Sequence, residues 1–165
     1  MNIERRASIP RFAGQQRGMV LLVSLVFLLL LTMLGISSMQ NATLQEKMAG
    51  SVTQRNKSFQ MAEAALRMGE SLIKDKDFKM AKCVGSARCV PPAEAPTVNS
   101  ERTDGTSGVA WKAGGGGFFG IQNLGTTATP IIKPNCSGTV TMYRVTAVAT
   151  EGTSTTVLES IYASC

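Results

Sequence analysis

The spacing of apolar positions changes twice along this chain, and each change marks a different environment. From Met19 to Met39 the residues run 21 long without a charge. A helix of that length rises about 31 Å, and the hydrocarbon core of a bilayer is about 30 Å thick. In lipid the backbone must satisfy its own hydrogen bonds, so this run predicts a membrane-spanning helix. Ser24, Thr32 and Gly35 do not spoil it, because hydroxyls bond back to the preceding turn.

After Met39 the apolar residues thin to one stripe. Leu44, Met48, Val52, Phe59, Ala62, Leu66, Gly69 and Ile73 follow at intervals of 4, 4, 7, 3, 4, 3 and 4, one face of an α-helix. The other faces carry Gln45, Glu46, Lys47, Gln54, Arg55, Lys57, Glu63, Arg67 and Glu70. No proline falls between Met19 and Val90. The pattern predicts one helix from about Val20 to about Lys79, roughly 90 Å long at about 1.5 Å per residue. Its end is expected between Phe78 and Lys82, where lysines suit the negative end of the helix dipole. Gly35-Ile36-Ser37-Ser38 and Gly50-Ser51 are its weak points, since an interior glycine costs about 1 kcal/mol against alanine. Glu46, Glu63 and Arg67 are candidates for a subunit contact, beside the plainer reading of a solvated helix face.

The third pattern is β. Val109–Lys112 and Phe118–Asn123 read as short strands, with a flexible hairpin loop over the four glycines Gly114–Gly117 between them. Thr139–Thr150 and Thr155–Tyr162 are rich in Thr, Val and Tyr and flank a turn at Gly152, which predicts a hairpin. Pro91, Pro92 and Pro96 exclude regular structure, and Asn99–Gly108 is polar and turn-rich. Gly125–Thr129 and Pro130–Asn135 read as loops, with Ile131-Ile132 tucked toward the core. The whole predicts an α+β fold: a long N-terminal helix, half in the membrane and half amphipathic, packed through its Phe59–Ile73 stripe on a small antiparallel sheet of three to five strands. The expected divisions are 1–18, 19–39, 40–82 and 83–165.

Charge orients this arrangement. Net charge is +6, and residues 1–18 hold half of it, four arginines against Glu4. A basic segment before an apolar run keeps the N-terminus cytoplasmic and sends the rest across. No basic stripe with interleaved aromatics argues for nucleic acid. All four cysteines, Cys83, Cys89, Cys136 and Cys165, lie beyond the membrane run, so they read as two disulfides on the exported side. Three connectivities are open. Cys83–Cys89 with Cys136–Cys165 is favoured, because the first closes a short loop and the second fastens the C-terminus. A zinc site lacks close cysteine pairs and any histidine.

Catalytic chemistry is poorly supplied. The chain has no His, the commonest general base and metal ligand. Gly114–Gly117 is not followed by Lys-Ser or Lys-Thr opening a helix, as a phosphate loop would be. Glu94, Glu101 and Asp104 read as solvated loop carboxylates. No cofactor, metal or enzymatic activity is expected, so function must come from assembly.

A charged leader ending in Gly18, directly followed by Met19 and an apolar helix, resembles the type IV prepilin signature. Thr43–Gly50, Arg55 and Phe59–Glu70 extend the match, and residues 15 to 73 resemble the N-terminal domain of PilX minor pilins. The C-terminal half is similar only loosely, through its cysteines and final strands. The resemblance implies cleavage by a prepilin peptidase after Gly18 and methylation of Met19. It implies a place among other minor pilins, the major pilin and the inner-membrane assembly platform, with a tip adhesin as a further partner. Major pilins carry Glu as the fifth mature residue, and here that residue is Val23. A carboxylate in lipid needs a partner, so a subunit without it fits the filament tip. Two alternatives stand beside this. The tip pseudopilin of a type II secretion system shares the leader and the missing Glu, but normally carries a large inserted α-domain. A signal-anchored periplasmic binding protein would keep its leader.

Overall fold

In the computed structural model, residues 17–75, 77–130 and 138–165 are described. Helix α1 spans Arg17–Ile73. A one-turn helix α2 follows at Ser86–Cys89, then a 3-10 turn at Ala95–Thr97. Five strands complete the chain: β1 Arg102–Thr103, β2 Ala110–Gly114, β3 Gly117–Thr127, β4 Val140–Glu151 and β5 Ser154–Ser164. They form one antiparallel meander in the order β1-β2-β3-β4-β5. The chain divides into two units, one up to Lys47 and one from Met48 onward.

In the first unit α1 is the framework. Its hydroxyls fold back as the apolar run requires: Ser24 Oγ donates to the Leu21 carbonyl at 2.9 Å and Thr32 Oγ1 to that of Leu29 at 2.8 Å. Gly35 and Gly50 are helical, and nothing lies within 4 Å of where a Cβ would sit at either.

In the second unit the helix lies on one face of the sheet. Ala65 and Ile73 pack with Phe119, Ile121, Tyr143, Val145 and Ala147. The opposite face is covered by the proline-rich segment, where Ala95 and Val98 pack with Val109, Trp111 and Val148. Both faces are thus covered over β2–β4, which a single helix on a small sheet would not achieve, while Val157 and Ile161 on β5 stay exposed. The helix face that meets the sheet is made of small residues. Ser58, Ala62, Ala65 and Gly69 are buried, at intervals of 4, 3 and 4. A Cβ on Gly69 would stand 2.5 Å from Val145 Cγ1 and 3.1 Å from Phe119 Cδ2.

Several boundaries differ from expectation. Helix α1 ends at Ile73, not between Phe78 and Lys82, because Asp75 caps a turn of its own. Its Oδ1 accepts the Asp77 amide at 3.2 Å and its carbonyl accepts the Phe78 amide at 3.0 Å, a local alternative to continuing the helix. The four glycines form the expected hairpin loop, drawn tight. Gly114 pairs with Gly117, and Gly115 and Gly116 between them have φ of 64° and 88°, as a two-residue turn of type I′ demands. The turn presses on the helix: a Cβ at Gly115 would fall 2.5 Å from the Ala65 amide nitrogen. The polar stretch after Asn99 contains the short β1. Strand β3 continues through Gly125 to Thr127, past a bulge between Asn123 and Gly125. Ile131, Ile132 and Cys136 lie outside the described residues.

Candidate assembly surface

A surface built for assembly is apolar, exposed and without a partner in its own chain. From Met19 to Met39 every large apolar side chain is exposed, from 47% at Val26 to 73% at Met39. Among the described residues α1 is the one helix long and apolar enough to cross a membrane, by length and composition. Water does not tolerate such a surface, and each buried methylene would be worth about 0.8 kcal/mol. Lipid or neighbouring apolar helices must cover it.

Gly18 and Met19 open this surface, in the first turn of α1. Val23, in the next turn, is 54% exposed. Farther along, Leu44, Met48, Val52 and Phe59 are exposed, whereas Ala62 and Ile73 are buried and Leu66 half-buried. The sheet thus takes up the stripe only from Ala62 onward. Ser58 and Ala65 were not in the apolar pattern, yet they are fully buried. Ser58 Oγ donates to the Arg55 carbonyl at 3.0 Å and lies 2.7 Å from Thr156 Oγ1. Its signal in the sequence is the recurrence of small residues at helical spacing, which hydropathy alone overlooks.

The charged helix residues make mostly internal contacts. Arg67 pairs with Glu63 at 2.5 Å and Lys57 with Glu151 at 2.6 Å, both partly exposed. Such pairs contribute about 0–1 kcal/mol.

Cys83 is joined to Cys89, with α2 inside the loop. Cys165 is also disulfide-bonded. The Cys83–Cys89 loop is clamped onto β3 and β4 by Arg144, Gln122 and Asn123, side chains that no motif in the sequence marks. Arg144 donates to the Cys89 carbonyl at 2.8 Å, to Gln122 Oε1 at 3.3 Å and to Glu159 at 3.0 Å. Gln122 Nε2 donates to the Arg88 carbonyl at 2.7 Å. Asn123 Nδ2 donates to the Met80 carbonyl at 2.7 Å, and the Asn123 carbonyl accepts the Cys83 amide at 2.9 Å.

The three loop carboxylates are not merely solvated. Glu94 Oε1 accepts Ser107 Oγ at 2.5 Å and Trp111 Nε1 at 3.2 Å. Glu101 Oε1 accepts the Ala113 amide at 2.9 Å. Asp104 Oδ1 accepts the amides of Thr106 at 2.8 Å and Ser107 at 3.1 Å. The Ser107 and Thr106 amides hold the Asp104 carboxyl below its ordinary value. All three are therefore turn and strand staples. Among the described residues no three His, Cys, Asp or Glu side chains cluster as a metal site would need.

Comparison with known proteins bears on the N-terminal part. Residues 17–67 match the family model described as PilX N-terminal. No curated protein and no solved structure matches the chain.

Proposed function

From the premise that this chain is a pilin of the PilX type, with its PilX N-terminal domain at residues 17–67, we propose that it works as a minor pilin of a type IV pilus. It is inserted with residues 1–18 in the cytoplasm and residues 40 onward in the periplasm. A prepilin peptidase cuts after Gly18, and Met19 becomes the methylated N-terminus. The subunit then packs side by side with other minor pilins through the N-terminal helix and primes the filament. It stays near the tip.

One observation carries this reading: the Met19–Met39 face is apolar and exposed throughout, and this run falls within the family match. In the membrane lipid covers that face, and in a filament neighbouring helices do. Helix association in lipid relies on packing and not on escape from water, so transfer from bilayer to filament exchanges one apolar cover for another. Val23 supports the tip placement, since it leaves no carboxylate for a further subunit to neutralise. The β-sheet unit offers its loops, its edges and the exposed face of β5 to other proteins.

Immunogold labelling of pili tests the placement. Label confined to one end, together with loss of surface pili on deletion of the gene, is the expected result. Label spread evenly along shafts would count against the tip, and unchanged pili on deletion would count against priming.

A further inference from the structure

Beyond the end of helix α1, the sheet face it covers carries a pocket of about 320 Å³. This is the lower end of the range of small-molecule pockets, about 300–1,000 Å³. Alternate residues of a strand share one face. On β4, Tyr143, Val145 and Ala147 meet the helix, so Thr141 lies on the same side, and Thr126 of β3 is paired with it. The helix ends at Ile73. From there the cover on this face is the chain from Phe78 to Lys82, which lines the pocket. Three contacts hold that chain down. The Phe78 ring meets the Tyr143 ring edge-on, 5.6 Å between centroids. Asn123 Nδ2 donates to the Met80 carbonyl at 2.7 Å, and Lys82 bridges Asn123.

Donors without a partner surround the pocket. Lys79 and Lys82 are exposed, and neither forms an ion pair among the described residues. Asp75 and Asp77, the nearest carboxylates in sequence, are not paired with them either. The Lys82 stem lies across the bulge in β3. A Cβ at Gly125, where φ is 101°, would fall 2.7 Å from Lys82 Cε and 3.0 Å from its Nζ. A glycine at this position therefore both adopts the backbone and leaves room for the ammonium. The hydroxyls of Thr126 and Thr141 make no hydrogen bond among the described residues. Nor does that of Tyr143, although Tyr143 is only 6% exposed. No buried side-chain oxygen among the described residues lacks a partner, so solvent reaches this hydroxyl, and the pocket is the opening that Tyr143 lines. A tyrosine so deeply set usually has its hydroxyl bonded within the protein. Here the partner must come from outside.

We propose that this pocket binds a small sugar carrying a phosphate or sulfate ester. Two ammoniums and three hydroxyls are a donor-rich set, and a tetrahedral ester offers free oxygens to accept them as charge-assisted hydrogen bonds. The oxyanion takes Lys79, Lys82 and the Tyr143 hydroxyl. The sugar ring fills the remaining volume beside Phe78, with its own hydroxyls on Thr126 and Thr141. The inference rests on the β-sheet unit and does not depend on assembly through α1.

The test uses the full chain, isotopically labelled in non-ionic polyoxyethylene micelles. It is titrated with the phosphate and sulfate monoesters of glucose at its primary hydroxyl, beside glucose and inorganic phosphate. At least one ester is expected to shift the Gly125, Thr126 and Thr141 amide resonances saturably, and the one that does so identifies the oxyanion. Glucose and inorganic phosphate should each bind at least about tenfold more weakly, since each lacks part of the contacts. Lys82→Ala should weaken the ester about tenfold, the loss of a charge-assisted contact. Tyr143→Phe keeps the ring and should weaken it about threefold. Lys112→Ala removes an equal charge from β2 and should leave binding unchanged. Unshifted resonances elsewhere show that a variant is folded. No saturable shift with either ester, glucose or inorganic phosphate bound as tightly as the ester, an unweakened Tyr143→Phe, or equal losses in Lys82→Ala and Lys112→Ala would each overturn the proposal.

Discussion

At Gly69 a single hydrogen in place of a methyl group decides how closely helix and sheet approach. Gly69→Ala would set its Cβ 2.5 Å from Val145 Cγ1. Overpacking of this kind costs about 1–3 kcal/mol, so the thermal midpoint of the variant is expected to fall. An unchanged midpoint would show that the seam relaxes freely. Gly35 is the contrast. Open space surrounds it, and Gly35→Ala should raise helix content with a gain of about 1 kcal/mol, read by circular dichroism in micelles. Asp104 adds a pH effect. Its folded value lies below its ordinary 3.8, held there by the Ser107 and Thr106 amides. The turn therefore has its full contribution above that ordinary value and loses it as pH falls through the folded one. Asp104→Asn should show a smaller change in stability than wild type over that acid range, followed by denaturant unfolding at each pH.

Between elements, the Arg144 cluster ties the disulfide loop to the sheet. Arg144→Ala leaves the Cys89 carbonyl and Gln122 Oε1 without this donor, at a cost of about 1–3 kcal/mol for groups left unsatisfied. Amide exchange should quicken across Arg88–Val90 while the β4–β5 hairpin stays protected, and equal protection throughout would deny the clamp. These contacts also show what was legible beforehand. The long helix, the β-rich C-terminal half and the final hairpin follow from periodicity and β-propensity, so their types were readable. The end of α1 was not, because it depends on Asp75 turning back on its own segment. The hairpin at Gly114–Gly117 was readable but its tightness was not: four glycines look floppy until the Ala64-Ala65 backbone lies against them. Part of the buried helix face escaped for a related reason. The predicted stripe held Ala62, Gly69 and Ile73, while Ser58 and Ala65, which add little hydropathy and much proximity, lay outside it.

For the whole molecule, the apolar run from Met19 to Met39 was plain in the sequence, and the proposed assembly rests on the exposure of its side chains. The proposed processing at Gly18 and Met19 rests on a resemblance, since no contact among the described residues marks a bond for cleavage. In the proposed function Val23 ties that processing to position in the filament. Val23→Glu would introduce a carboxylate that lipid disfavours and a neighbouring subunit could pair. Gold label should then move from the end of pili into the shaft, and label that stays at the end would detach the tip placement from this residue. The most direct test of the account is the intact mass of the protein recovered from membranes of cells with an active prepilin peptidase. The account requires a chain that begins at Met19 and carries one added methyl group. A chain that still holds residues 1–18 in those cells would contradict it.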